Sequence, residues 1–258
     1  MQFASLGSGS EGNGLLVRST DGARVVHLLV DCGFGLAEAQ ARLRAAGLEP
    51  EVLDAIVVTH EHGDHLGGVY KLAVAHGIPV YMTHGTRLAG GKLPAKLNLR
   101  EIQPDAAFDL PGFRVLPVAV PHDAREPVQY VIDDGRARLG VLTDIGHGTA
   151  HVRRAYSGLD ALVLECNHDE TLLANNSRYP ESLKRRIGGD YGHLANSAAA
   201  EILAGLDRSR LRVVVAAHLS QMNNTEHLAK RALTSVLECE AEAVKVAGQE
   251  RGFEWIGL

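Results

Sequence analysis

Six short runs rich in Val, Ile, Leu and Ala each end on a residue that can bind a metal ion, and this repetition constrains the chain more than any other feature. Residues 27–30 end at Asp31, 55–59 at His60, 115–121 at His122, 139–143 at Asp144, 161–167 at His168 and 213–217 at His218. Their length and composition are those of buried strands. Packed into sheets, such strands gather their polar ends at one edge, where sheet-based enzymes place their sites. Helices are expected between them, over about 36–46, 67–76, 182–187, 197–206 and 226–240. Asn196 is the expected N-cap of the fourth, and Asn224 or Thr225 that of the last, with Asn223 in the same capping segment. Gly7, Gly9, Gly12 and Gly14 punctuate hairpin-like β structure and do not open a helix after a strand, which argues against a dinucleotide or P-loop fingerprint. The stretch Gly90 to Pro111 is the loosest and is expected to form a mobile flap over the site.

Composition narrows the class. With 258 residues, one α/β domain is the starting expectation. No segment reaches the roughly 18 uncharged apolar residues of a membrane-spanning helix. The N-terminus lacks the basic start and apolar stretch of a secretion signal, so a cytoplasmic location is expected. Cys32, Cys166 and Cys239 are widely spaced with no Cys-x-x-Cys pair, which disfavours disulfides and a thiolate zinc site; they are expected as buried small apolar residues. A net charge of −5 gives no general attraction to a polyanion, so any nucleic-acid grip must be local. Two basic runs offer one: Arg87, Lys92, Lys96 and Arg100, and Lys184-Arg185-Arg186. Taken alone, each is also what a solvated helix face looks like.

The run His60-Glu61-His62-Gly63-Asp64-His65 is harder to explain by structure alone. A divalent ion needs imidazoles and carboxylates brought together, and four such groups follow one buried strand within six residues. Burying three imidazoles beside an aspartate with no ligand is costly. Gly63, Gly67 and Gly68 allow the tight turns that let successive side chains face two ions from one loop.

This run resembles the His-x-His-x-Asp-His signature of the metallo-β-lactamase superfamily, and more closely its WalJ (YycJ)-like metallohydrolase and exonuclease branch. The matching segments extend from Ser8-Gly9-Ser10-Glu11-Gly12-Asn13 through Asp31-Cys32-Gly33, Pro121-His122-Asp123-Ala124, Thr143-Asp144-Ile145-Gly146, Glu165-Cys166-Asn167-His168-Asp169 and Gly192-His193-Leu194-Ala195-Asn196 to His218-Leu219-Ser220-Gln221-Met222-Asn223-Asn224. The resemblance implies an α/β four-layer αβ/βα sandwich with no inserted cap domain, a single domain over residues 1–258. It implies two divalent ions: His60, His62 and His122 hold the first, Asp64, His65 and His218 the second, and Asp144 bridges them. Zinc and manganese suit these ligands, and so does iron. Asp31 is expected to orient a ligand imidazole, though a strand-end turn also explains an aspartate there. Asp64, His168 and His193 are the candidate catalytic groups. His193 stands before Asn196 and Ser197, where a helix start offers amides to an anion. Asn13 and Asn196 are candidate substrate or supporting residues, Ser10 a weaker one. His27, His76, His84, His147, His151 and His227 are expected to be structural or exposed, with His84 and His147 the least settled.

Two ions roughly 3.5–4 Å apart can share a hydroxide at neutral pH and stabilise both oxygens of an in-line displacement at phosphorus. The resemblance therefore implies a metal-dependent hydrolase acting on DNA as a 5′-to-3′ exonuclease. A small-molecule hydrolase, either a cyclic or nucleotide phosphodiesterase or a glyoxalase II-like thioesterase, is the alternative. A non-catalytic regulatory protein is the third, disfavoured because all seven ligands are present. The sequence is silent on oligomeric state.

Overall fold

The computed structural model describes residues 1–258. Two seven-stranded sheets face each other. Across the first lie β14 (Phe253–Gly257), β1 (Gln2–Gly7), β2 (Gly14–Asp21), β3 (Arg24–Val30), β4 (Ala55–Val57), β5 (Val80–Thr83) and β6 (Leu99–Ile102). Across the second lie β13 (Val244–Val246), β12 (Val213–Ala217), β11 (Ala161–Glu165), β10 (Arg138–Leu142), β9 (Val128–Asp133), β8 (Phe113–Ala119) and β7 (Phe108–Leu110). The chain order mirrors between them: antiparallel strands enter each sheet, and parallel ones, β3 to β6 and β10 to β13, complete it.

Alternation explains why the strands read as unbroken apolar runs. Val17, Leu28, Val30 and Val57 of the first sheet meet Val115, Tyr130, Val141 and Val163 of the second in one central core. The intervening residues point outward and are covered too. Leu16, Leu29 and Ile56 pack under α1 (Leu36–Ala45) and α3 (Val69–His76), while Leu142, Leu162 and Leu164 pack under α5 (Ala150–Ala155), α8 (Asn196–Ala204) and α9 (Glu226–Leu237). Strands buried on both faces lose the polar alternation of a half-wet sheet. The result is the expected four-layer αβ/βα sandwich with no inserted cap domain. The shorter helices are α2 (Gly63–Leu66), α4 (His84–Ala89), α6 (Glu170–Asn175) and α7 (Glu181–Ile187). No helix is long and apolar enough to cross a membrane.

Several expectations change. Helices α4, α5 and α6 were not anticipated; each has six residues, too few to show a period, yet Thr83, Thr149 and Asp169 cap them through their side chains. The supposed flap from Gly90 to Pro111 holds the edge strands β6 and β7, hydrogen-bonded to β5 and β8. Ala195, not Asn196, is the N-cap of α8, and Asn196 instead exchanges side-chain hydrogen bonds with Asn224 at 2.9 Å. Thr225 caps α9, while Asn224 also donates to the Cys166 carbonyl at 2.7 Å. Cys32 and Cys166 are buried, and Cys239 is exposed.

Candidate metal centre

The ends of β3, β4, β10 and β12 converge on one edge of the sandwich. Asp31, Asp144 and His218 follow three of them, and all have positive φ, at 59°, 54° and 55°. A left-handed residue just beyond a strand turns its side chain across the sheet edge. Asp and His enter this region more readily than bulkier residues, and the strain, about 1–3 kcal/mol each, is characteristic of functional positions.

The site builds outward from Asp31. Its carboxylate accepts from the Thr59 amide and hydroxyl and from His65 Nδ1, each at 2.8 Å, locking the ends of β3 and β4 together. The Thr59 hydroxyl, having donated to Asp31, accepts from His60 Nδ1 at 2.9 Å. His122 Nδ1 donates to the Gly192 carbonyl at 3.0 Å, and His62 Nε2 to the Asp123 carbonyl at 3.2 Å. In each ring the nitrogen facing the protein carries the proton. The other nitrogen is left with its lone pair toward the interior of the cluster, which is the tautomer a metal ligand requires.

Those inward atoms form two adjoining groups. The ligand atoms of His60, His62 and His122 lie within 4.8 Å of one another, as do those of Asp64, His65 and His218. Asp144 stands between: Oδ2 is 3.0 Å from His65 Nε2 and Oδ1 3.5 Å from His218 Nε2, and it groups both with His60 and His65 and with Glu165, His193 and His218. His60 Nε2 and Asp144 Oδ2 are buried with no hydrogen-bond partner. Native proteins rarely leave such atoms orphaned unless an ion or water satisfies them. The residues therefore fit divalent cations.

The electrostatics agree. Burial, reinforced by neighbouring imidazoles, holds His60 well below the ordinary histidine value, and burial also lowers His122, so both are neutral. Burial opposes charge on Asp64 and Asp144, but His65 and His218 outweigh it and keep both carboxyls well below the usual range. The same carboxylates, together with Glu165, favour positive charge at His218 and lift it to about 10 against its own burial; a bound cation would take the place of that proton. A dry site that gathers this much negative charge favours cations.

Glu165, given no role in the sequence reading, proves central. It is fully buried at the end of β11, where Oε1 accepts from His193 Nδ1 at 2.7 Å and Oε2 accepts from the Ile145 amide at 2.9 Å. The available signal was a carboxylate inside an apolar run, which a folded core tolerates only when paired. It holds the His193 ring stacked on His218, centroids 5.3 Å apart, and edge-on to His122. A cleft of about 390 Å³ exposes this cluster to solvent, with Tyr179, Arg186 and Ser220 on its rim.

The remaining candidates divide clearly. Asn13 accepts from the Gly9 amide at 2.8 Å and sets Nδ2 3.1 Å from His65 Nε2, pinning the glycine-rich loop to the histidine loop. Asn196 faces Asn224, and its amide bonds to the His168 carbonyl. His168 is buried beyond His193 and joins neither group. His84 bonds to Glu101, which Arg87 also pairs, and His147 to the Asp190 carbonyl; neither reaches the cluster. Lys184-Arg185-Arg186 lies on α7 beside the site, with Arg186 2.6 Å from Asp123.

Because Asp31 fixes His65, Asp31→Asn is expected to weaken binding of one ion by about 10- to 100-fold. Competition with a chromophoric chelator measures this, and unaltered affinity would reduce Asp31 to a strand-end turn.

Comparisons agree with the geometry. The family model for the beta-lactamase superfamily domain matches residues 27–218. Exodeoxyribonuclease YycJ of Bacillus anthracis is 35% identical over 241 residues, 92% of this chain and 89% of that protein. Exodeoxyribonuclease WalJ of Streptococcus pneumoniae is 30% identical over 246 residues, 92% and 88% of the two. The metallo-β-lactamase fold protein YhfI of Bacillus subtilis superposes with a TM-score of 0.76 at 21% identity over 99% of each chain. This chain belongs to the metallo-β-lactamase superfamily and is a metal-dependent hydrolase.

Proposed function

We propose that the chain, acting as one domain over residues 1–258, is a phosphodiesterase that removes nucleotides from the 5′ end of DNA with two divalent ions, zinc or manganese, with iron as a further option. The carrying observation is the set of inward nitrogens in two adjoining groups with Asp144 standing between them, grouped with His60 and His65 on one side and with His218 on the other. His60, His62 and His122 would hold one ion and Asp64, His65 and His218 the other, with Asp144 common to both. When bound, such ions supply a nucleophile at neutral pH and stabilise charge on both oxygens of the displacement. Water adds across the P–O3′ bond: its oxygen goes to phosphorus and a proton to O3′. His193, held by Glu165 and lining the cleft, would hydrogen-bond a phosphate oxygen or deliver that proton. Arg186 stands at the cleft rim, where a strand phosphate would compete with Asp123 for its charge. The names of the two sequence relatives support DNA as the substrate.

Protein loaded with Mn²⁺ or Zn²⁺ would be offered end-labelled duplex DNA, single-stranded DNA, RNA, bis-p-nitrophenyl phosphate and S-lactoylglutathione. Release of 5′ mononucleotides from DNA is expected. Turnover of the thioester alone would overturn the proposal, and no turnover with either metal would favour a binding protein. His193→Gln is expected to lower the rate on DNA by about 100-fold with metal content unchanged, the scale of a lost acid–base group. A rate within twofold of wild type would remove His193 from the chemistry.

A further inference from the structure

Beyond His193 lies a second cleft of about 530 Å³, within the size range of sites that bury a small ligand. It adjoins the metal cleft directly: His193 lines both, and α7 runs between them, giving Lys184 and Arg185 to one and Arg186 and Ile187 to the other. Its chemistry is that of an anion site with an apolar wall. Lys184 is tied to Glu181 at 2.9 Å and to the Ala174 carbonyl at 2.7 Å, and Arg186 to Asp123. Arg185, between them and exposed, is left to the cleft. His168 is 2% exposed, and its ring engages protein only through Nδ1, 3.4 Å from Asn167 Oδ1. Its Nε2 can therefore share a proton with a phosphomonoester, whose second ionisation lies near pH 6. Leu173, Ala195 and Ala198 supply apolar surface for a sugar or base. Two acids also line the cleft: Glu181, whose charge Lys184 offsets, and Glu170, which is left to oppose an anion.

Resting on the nuclease reading above, we propose that this cleft receives the terminal nucleotide of the strand and recognises its 5′-phosphate through Arg185 and His168, while the next phosphate lies at the metal centre. The reaction supplies the ligand. Breaking P–O3′ leaves a 5′-phosphate on the shortened strand, so each cycle regenerates the group the cleft binds.

The test compares Mn²⁺-loaded protein on two duplexes that differ only in carrying a 5′-phosphate or a 5′-hydroxyl. Loss of one charge-assisted contact corresponds to about tenfold. Wild type is expected to prefer the phosphorylated end by about tenfold or more, Arg185→Glu to bring the ratio toward one, and Glu170→Gln to raise it. Both positions are exposed, so the variants should fold. A wild-type ratio near one, or a ratio unmoved by Arg185→Glu, overturns the proposal. Should DNA resist hydrolysis while bis-p-nitrophenyl phosphate is cleaved, the nuclease reading fails by itself. The cleft is then judged by inhibition of that cleavage with a nucleoside 5′-monophosphate: inhibition weakened about tenfold by Arg185→Glu upholds an anion subsite, and absence of inhibition overturns it.

Discussion

Asp144→Ala is expected to lower hydrolysis of DNA and of bis-p-nitrophenyl phosphate by at least about 10³-fold and to reduce bound metal to one ion or fewer. Losing a partner that merely orients a ligand costs about 10- to 100-fold, so losing a carboxylate shared between two ions must cost more. The geometry makes the loss irreparable locally. Asp144 is 1% exposed, and its two oxygens face His65 and His218 from a left-handed turn that few side chains adopt. Its removal leaves His193 facing Glu165, already hydrogen-bonded to it at 2.7 Å, and His218 facing Asp64 at 3.4 Å and Glu165 at 3.6 Å. Metal analysis alongside kinetics separates the possibilities: full activity with two ions bound contradicts the bridging role.

The second large effect is on stability. Gly68→Ala is expected to destabilise the fold by about 3 kcal/mol or more, because overpacking against rigid backbone exceeds the usual cost of a core misfit. A methyl group on Gly68 would overlap the Phe34 carbonyl oxygen, and one on Gly33 would overlap the Asp64 carbonyl. The turn after β3 and the segment carrying Asp64 and His65 thus meet backbone to backbone, fixed by hydrogen bonds from the Gly68 amide to the Cys32 carbonyl and from the Cys32 amide to the His65 carbonyl, both 2.8 Å. Gly63, in the same run, has open space where a methyl would go. Gly63→Ala should therefore leave stability unchanged or raise it slightly, since alanine is the better helix former. Urea denaturation of the two variants decides the matter, and equal stabilities would refute the packing account.

These contacts also show what the sequence could and could not carry. The strand ends at Asp31, His60, His122, Asp144 and His218 were legible because a polar, metal-binding residue after an apolar run has few structural explanations. Convergence of those ends followed from strands sharing sheets. Glu165 was missed because a lone carboxylate inside an apolar run announces burial with a partner but does not name the partner; His193, 28 residues later, is found only through space. The left-handed turns at Asp31, Asp144 and His218 had no local signal, since nothing in a side chain's identity reveals the angle at which its strand meets the edge. Asn196 followed the rule for caps and lost to a tertiary contact, its amide being drawn to Asn224 across the fold.

The central claim is a pair of ions around Asp144, and anomalous diffraction from crystals grown with Mn²⁺ tests it most directly. Two peaks roughly 3.5–4 Å apart are expected, as in two-metal hydrolases. One should lie among His60, His62 and His122 and the other among Asp64, His65 and His218, with Asp144 between them. A single peak at full occupancy, or two peaks that Asp144 does not join, would contradict it.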